Sequence, residues 1–403
     1  MTTMEQMTVG KWIINKVDTK DWRAGKGNEE KQRHFKHGGI TANVNDTIRE
    51  MMEMAGGRAN FIDQVNELER EGLITVKRTN VNTEISEITF SVKEMDRLCD
   101  YEGVVNWRKL IEEKKNYLSG LIENARCDWL AAYERDAYRR LLNGTLEKNV
   151  MDENIFKILN AIASLEKDVW KRKFSSDILN GSKVFEDVYE DRIITILRKY
   201  SDKADESMTN DDVLMEHGIV TYSQNLQFKG GIVYNVGGED IDTSVQIYGT
   251  VLNAQTLSHV RLVSLNAVKR IMTIENQANY EQMQFQPDVL YIYTHGFLSP
   301  KERRFLEQIE EAADSTVEFY HWSDLDYGGI RIFQFMKQNV FKRVKPYKMD
   351  QETYDVVRRL GEGFVLEEKK RRKLEKMCCE ELEELKQCIL VNGREYEQEM
   401  LIK

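Results

Sequence analysis

The sequence has few prolines and no pattern of cysteines that suggests a disulfide framework or a zinc site. Its three prolines are Pro287, Pro300 and Pro346, so residues 1–286 lack the strongest helix breaker. The five cysteines are odd in number and show no CxxC spacing. No run reaches the roughly 18 consecutive apolar residues of a membrane helix, and no secretory-signal pattern is present. We therefore expect a largely helical, soluble, cytoplasmic protein that has reduced cysteines and does not associate with a membrane.

Charge and length also limit the possibilities. The 403 residues are 41% hydrophobic, which is enough to bury the cores of two or three domains. The net charge of −10 argues against a generic nucleic-acid binder. Residues 1–80 are nevertheless slightly basic, with 13 Lys+Arg against 12 Asp+Glu. Local basic surfaces can therefore still contact phosphates.

Residues 1–100 show the element order of a winged helix. A helix predicted over residues 59–71 places four apolar side chains on one face: Phe61, Ile62, Val65 and Leu68. Two short strand-like runs, LITVKR and ISEITFSV, follow it. Residues 77–84 would form the wing, with Lys77 and Arg78 at its base as candidate DNA contacts. The basic stretch over residues 31–37 is an equal candidate, and a protein-docking role stays open because the helix is rich in acidic residues.

The rest of the chain predicts two further regions. Residues 101–200 are almost continuously helical and indicate an arm or connector. Within residues 201–403, strands at RIMTIE, VLYIYT and VEFYHW alternate with helices, which is typical of right-handed crossovers and a Rossmann-like parallel sheet. The overall prediction is a helix-rich, multidomain α/β protein.

Three carboxylates are predicted to meet at one edge of that sheet. Glu275 ends the first strand, whereas Asp324 and Asp326 follow the third strand in HWSDLDYGG. Functional groups gather at the carboxyl ends of parallel strands. Three acids at one place repel each other unless a hard divalent ion with oxygen ligands neutralises them. We therefore predict a Mg²⁺ or Mn²⁺ site, with two ions that clamp the attacking and leaving oxygens of a phosphodiester.

Glycines near this edge predict phosphate contacts. Gly328 and Gly329 would turn the backbone into the next helix, whose first amides would face a phosphate. Gly296, after the second strand, would act in the same way from the neighbouring loop. An isolated DxD pair is also a common helix N-cap, so the prediction depends on the whole set of residues.

The set resembles the toprim domain of topoisomerases, primases and related nucleases. Four further blocks, TIENQANYE, YTHGFLSPKERRFL, WSDLDYGGIRIF and REYEQE, resemble the JetD family, the nuclease subunits of Wadjet anti-plasmid systems. That family is similar in layout to the A subunit of topoisomerase VI. His295 and Leu298 stand where the family pattern has a glycine and a proline.

The resemblance implies a winged-helix element, a toprim catalytic domain and a homodimer that cleaves circular double-stranded DNA in company with an SMC-like ATPase complex. Glu275 would be a metal ligand and general acid or base, and Asp324 and Asp326 would be metal ligands. Gln398 and Glu399 would close the site from a C-terminal helix. Ser182 and Lys183, in the block LNGSKVFEDVYEDRI, would contact a phosphate.

Two other functions stay open at this point. A topoisomerase VI-like transesterase would attack DNA with a tyrosine, but residues 1–100 contain none. The second is a non-catalytic DNA-binding scaffold subunit. Nothing in the sequence specifies a preferred DNA sequence or topology.

Overall fold

The computed structural model describes residues 6–28, 30–37, 46–79 and 84–401. The chain forms two compact units, Met1–Ser164 and Leu165–Lys403. Helices and a mixed sheet together confirm the α/β class. None of the described helices is long and apolar enough to cross a membrane.

The first unit combines helices with a small antiparallel sheet. Its helices are α1 (Val9–Val17), α2 (Lys20–Arg23), α3 (Thr47–Met54), α4 (Arg58–Arg70), α5 (Met95–Glu102), α6 (Trp107–Glu123), α7 (Asp128–Leu142), α8 (Lys148–Met151) and α9 (Glu153–Ala163). Its strands are β1 (Gln32–Lys36), β2 (Thr75–Arg78) and β3 (Ile85–Ser91), in the order β1-β3-β2.

Helix α4 packs on the core of this unit much as the apolar spacing predicts. Phe61, Val65 and Leu68 are buried, while Ile62 is only partly buried at the margin of the same core. Strand β1 falls in the basic stretch for which no strand was predicted, and it pairs with β3. Part of the predicted wing, residues 80–83, lies outside the described residues.

The second unit contains the remaining elements. Its helices are α10 (Lys171–Leu179), α11 (Glu190–Tyr200), α12 (Asn210–Glu216), α13 (Ala254–His259), α14 (Gln277–Gln282), α15 (Pro300–Ala312), α16 (Tyr327–Asn339), α17 (Gln351–Leu360), α18 (Glu368–Lys376) and α19 (Glu383–Asn392). Its strands are β4 (Val169–Trp170), β5 (Ile219–Val220), β6 (Asn225–Lys229), β7 (Val233–Val236), β8 (Glu239–Asp242), β9 (Thr250–Asn253), β10 (Arg261–Ser264), β11 (Arg270–Ile274), β12 (Val289–Tyr293), β13 (Glu318–Trp322), β14 (Lys345–Pro346), β15 (Phe364–Val365) and β16 (Arg394–Glu395).

A six-stranded sheet organises the second unit, in the order β14-β13-β11-β12-β6-β9. Strands β14, β13, β11 and β12 are parallel, as the alternating strand and helix pattern predicts. The sheet as a whole is mixed rather than parallel, because it also contains β6, which runs antiparallel to β12, and β9, which runs antiparallel to β6. Antiparallel strands need no crossover helix between them, so a pattern of alternating strands and helices does not predict them.

Strand β11 lies between its two parallel partners. Ile274 is in register with Tyr293 of β12 and with Trp322 of β13, so the three strands end level. The side chains of β12 are nearly all buried, which is typical of a strand covered on both faces. Whatever follows Ile274 and Trp322 therefore shares one edge of the sheet.

Candidate metal centre

The carboxyl ends of β11 and β13 bring the three predicted carboxylates to one edge of the sheet. The Glu275 amide donates to the Trp322 carbonyl at 3.0 Å, which extends the pairing of the two strands by one residue. Asp324 follows two residues after Trp322, and Asp326 begins helix α16 as its N-cap. The charges of both aspartates act on Glu275, so the three groups form one electrostatic cluster.

Glu275 lies among negative charges, and one of its carboxylate oxygens has no partner among the described residues. Burial, together with the charges of Asp324 and Asp326, raises the pKa of Glu275 to about 8. Its Oε2 atom is buried and has no hydrogen-bond partner within the described part of the chain. A buried carboxylate oxygen without a partner is costly in a protein that offers it no cation.

The two aspartates are each held by backbone amides. Asp324 Oδ1 accepts a hydrogen bond from the Gln398 amide at 2.7 Å. Burial and the charge of Asp326 outweigh that bond and raise the pKa of Asp324 to about 7. Asp326 Oδ1 accepts from the Gly329 amide at 2.6 Å, yet burial still raises the pKa of Asp326. Both side chains are thereby fixed in orientation.

This donor set suits a hard divalent cation. All three groups are carboxylates, and their raised pKa values show that the metal-free cluster has more negative charge than its surroundings stabilise. Among the residues that the structure describes, no three or more His, Cys, Asp or Glu side chains are grouped so that they could hold a metal ion. The cluster therefore has the composition of a site for Mg²⁺ or Mn²⁺ but not a completed coordination shell.

The C-terminal segment closes the site from the far end of the sequence. Leu325 and Tyr396 form an antiparallel bridge, with backbone hydrogen bonds of 2.9 and 3.1 Å. Asn279 of α14 donates to the Gln398 carbonyl at 3.1 Å, and Asn276 donates to the Glu399 carboxylate. Residues 398 and 399 thus lie beside the cluster, on a 3-10 turn rather than an α-helix.

Gln398 is the second group in this site with unused hydrogen-bonding capacity. Its side chain is fully buried, and within the described residues neither Oε1 nor Nε2 has a partner. A buried amide normally finds a partner for each end. Together with Glu275 Oε2, this makes three buried polar atoms that have no hydrogen-bond partner among the residues that the structure describes.

Two residues that sequence reasoning missed complete the surroundings. Glu395 is buried and accepts from the Tyr327 amide at 2.9 Å, at the start of α16. Lys370 of α18 donates to the other oxygen of Glu395 at 3.1 Å. A signal for Lys370 was present in the run KKRRK over residues 369–373, because dense Lys/Arg runs are typical of phosphate-binding surfaces.

The same contacts correct one expectation about phosphate binding. The first amides of α16 were expected to face a phosphate. Instead, the Tyr327 amide donates to Glu395, and the Gly328 and Gly329 amides donate to Asp326. The chain's own carboxylates occupy this helix N-terminus, so a phosphate would need other donors.

Two comparisons with known proteins identify sequences that are similar to this chain. The family model described as Wadjet protein JetD, C-terminal, matches residues 238–402, which include the whole carboxylate cluster. The Wadjet protein JetD of Bacillus cereus (strain Q1) is 27% identical over 381 residues, which cover 89% of this chain and 91% of that protein. Over most of its length the chain is similar to JetD proteins. This chain departs from the JetD pattern at His295 and Leu298.

The loop after β12 shows why a glycine suits the JetD pattern where this chain has His295. His295 has φ +44° and Gly296 has φ +100°, both in the region that glycine adopts without strain. The His295 ring lies 3.1 Å from the buried Glu302 carboxylate. Burial lowers the pKa of His295, but the bond to Glu302 more than offsets it, so the pKa is raised. This ion pair holds the histidine in its unfavourable backbone conformation.

Gly328 and Gly329 do not turn the backbone, which corrects the predicted reason for their presence. Neither has a positive φ, and both lie in the first turn of α16. At Gly329, an added Cβ would stand 2.1 Å from the Asp324 carbonyl oxygen and 2.9 Å from Ser323 Oγ. The glycine is therefore required by the close approach of α16 to the loop that carries the aspartates.

Gly329→Ala is expected to destabilise the fold by about 2–3 kcal/mol, because the new methyl group must displace backbone atoms next to Asp324. Thermal or urea unfolding measures this change. Gly328→Ala is the matched control, since its Cβ would meet only the Asp326 carboxylate, at 3.3 Å. Equal stability of the two variants would contradict the packing explanation.

The other residues that were predicted to contact DNA or phosphate lie on other elements of the chain. Ser182 and Lys183 are exposed on the turn after α10. Lys77 lies on β2 of the first unit. The Arg78 guanidinium donates twice to Glu69, at 2.5 and 3.2 Å, and once to Asn66. Arg78 is thus engaged by α4 and would have to leave that ion pair to reach a phosphate.

Proposed function

We propose that this chain is a divalent-metal-dependent DNA endonuclease of a Wadjet-type plasmid defence system. The observation that carries the proposal is the half-buried cluster of Glu275, Asp324 and Asp326 at the carboxyl edge of parallel strands, with a buried Glu275 oxygen that has no partner among the described residues. The chain is similar to a relative that is named a Wadjet protein, and this similarity supplies the biological setting. Circular double-stranded DNA is the proposed substrate.

The proposal includes a toprim domain and a winged helix. In support of the toprim assignment, β11, β12 and β13 are parallel and in register, and the acidic residues follow the first and third of them. In support of the winged helix, α3 and α4 are followed by the antiparallel strands β2 and β3. A homodimer and an SMC-like ATPase complex as partner are part of the same proposal.

The residues of the site have separable roles in this scheme. When bound, Mg²⁺ or Mn²⁺ supplies an activated water and neutralises charge on the scissile phosphate. Asp324 and Asp326, oriented by the Gln398 and Gly329 amides, would hold it. Glu275 completes the oxygen set, and its pKa of about 8 in the metal-free protein allows it to carry a proton near neutral pH. Gln398, whose backbone amide donates to Asp324, also has a buried side-chain amide without a partner among the described residues.

Hydrolysis is favoured over attack by a tyrosine. Residues 1–100, which hold the proposed winged helix, contain no tyrosine. Tyr293, at the end of β12, lies near enough to Glu275 for its charge to act on it. Burial and that charge raise the pKa of Tyr293, which disfavours the phenolate that a transesterase needs.

The direct test is incubation of supercoiled plasmid with the purified chain and its partner complex. Linear or nicked product is expected with Mg²⁺ and none with EDTA. The product ends should enter a denaturing gel freely without protease treatment. DNA ends that stay linked to protein until protease treatment would indicate transesterification instead of hydrolysis. Cleavage in EDTA would exclude the metal-dependent mechanism.

A further inference from the structure

Helix α18 carries a dense group of positive charges in an acidic chain. It spans Glu368–Lys376 and contains five consecutive Lys or Arg residues, 369–373, followed by Lys376. At about 100° per residue, one face of this helix collects four of them: Lys369, Arg372, Lys373 and Lys376. We call these four residues the cationic ridge. Leu374, on another face, is fully buried and fixes the orientation of the helix.

Most of the ridge is available to a partner. Lys369, Arg372 and Lys376 are exposed. Arg372 pairs only with Glu368, one turn earlier, and both side chains are mostly exposed, so this pair contributes little and is easily exchanged. Lys373 is paired with Glu206 at 2.7 Å. The helix exposes cations that its own acidic residues do not neutralise.

The ridge lies next to the candidate metal centre. Lys370, the neighbour of Lys369 on α18, donates to Glu395 at 3.1 Å, and Glu395 accepts from the amide of Tyr327, the residue after Asp326. The Lys370 charge acts on Asp326 itself. A molecule that contacts the ridge is therefore within a few side chains of the carboxylate cluster.

We propose that the cationic ridge binds the phosphate backbone of double-stranded DNA alongside the candidate metal centre. The identity of the ligand rests on the proposed function, whereas the position of the ridge rests on α18. From Lys369 to Lys376 the helix rises about 10 Å, which spans about three phosphates of one strand. The α16 amides are occupied by carboxylates, so the ridge supplies the positive charge that a phosphate chain needs near this site.

The test is a triple variant of the exposed residues, Lys369→Gln, Arg372→Gln and Lys376→Gln. Its matched control is Lys269→Gln, Arg270→Gln and Lys345→Gln, which removes three exposed cations at the opposite end of β11 and near the start of β14. Both variants change the net charge equally. Fluorescence anisotropy with a short labelled DNA duplex in EDTA measures binding by the full chain without cleavage, over a series of salt concentrations.

The ridge variant is expected to bind the duplex about tenfold or more weakly. The slope of log affinity against log salt should fall by about 2–3, since each lost phosphate contact removes about 0.9. The control should change affinity by less than about threefold. Thermal unfolding should show that all three proteins are folded, because none of the six side chains is buried.

Three outcomes would overturn the proposal. They are unchanged binding by the ridge variant, an equal loss in the control, and no duplex binding by the wild-type chain. The last two would favour, respectively, a general effect of net charge and an acidic protein as the partner of the ridge. Because the assay contains no metal, Glu275→Gln should bind the duplex with wild-type affinity. The binding result therefore tests the ridge even if the nuclease proposal fails.

Discussion

Glu275→Gln is expected to reduce metal-dependent cleavage of plasmid DNA by about 10³-fold or more. The substitution keeps the size of the side chain but removes the negative charge and the proton acceptor. The Oε2 atom of Glu275 is buried and has no hydrogen-bond partner among the described residues, so the substitution alters an oxygen that is free to bind a cation. Asp324→Asn should have a similar effect, since it removes a charge held in place by the Gln398 amide.

The control for this experiment is Glu311→Gln, an exposed carboxylate of α15 with the same change in charge and shape. It should cleave plasmid at the wild-type rate. Cleavage is followed on agarose gels with the partner complex present. If Glu275→Gln or Asp324→Asn cut plasmid as fast as wild type, the carboxylate cluster would not be the catalytic site.

The second large effect concerns stability and pH in the metal-free protein. Folding raises the pKa of Glu275 to about 8 and that of Asp324 to about 7, from ordinary values of about 4. Between about pH 4 and pH 8 the folded state therefore holds protons that the unfolded state has released. The free energy of unfolding must fall as pH rises through this window, and the stabilisation is lost above about pH 8.

Glu275→Gln removes one of these titrations. At pH 9 we expect the metal-free variant to be more stable than wild type by roughly 2–4 kcal/mol, and the difference should shrink toward pH 4. Urea unfolding in EDTA at several pH values measures both curves. Parallel curves for wild type and variant would show that Glu275 is not buried among negative charges.

Mg²⁺ should reverse this loss in the wild-type protein. A cation that binds only the folded state raises the unfolding free energy, and it binds deprotonated carboxylates best. The stabilisation should therefore be large at pH 8 and small at pH 5, and weaker in Glu275→Gln at both. Unfolding monitored by fluorescence gives this readout without any measurement of activity.

The sequence was most informative where local period and chemistry agree. Strands β11, β12 and β13, and the helices between them, follow from short apolar runs that alternate with amphipathic segments. Because parallel strands end at a common edge, the positions of Glu275 and Asp324 relative to each other follow as well. This inference needs no knowledge of side-chain contacts.

The parts that could not be predicted depend on contacts between distant segments. Glu395 and Lys370 reach the site through pairings with residues 327 and 395, which no local pattern encodes. Gly329 was predicted to turn the backbone, whereas the structure shows a close approach to the Asp324 carbonyl, a contact that is visible only in three dimensions. The places of β6 and β9 in the sheet depend on pairing with β12 and with each other, which no local pattern encodes.

The contribution of Gln398 has a consequence for biosynthesis. The amide that orients Asp324 lies 74 residues further along the chain, and the backbone partner of Leu325 is also downstream, at Tyr396. A ribosome that has translated both aspartates has therefore not yet produced the residues that fix them. Nascent chains, and fragments from a premature stop codon before residue 398, would therefore lack an assembled centre.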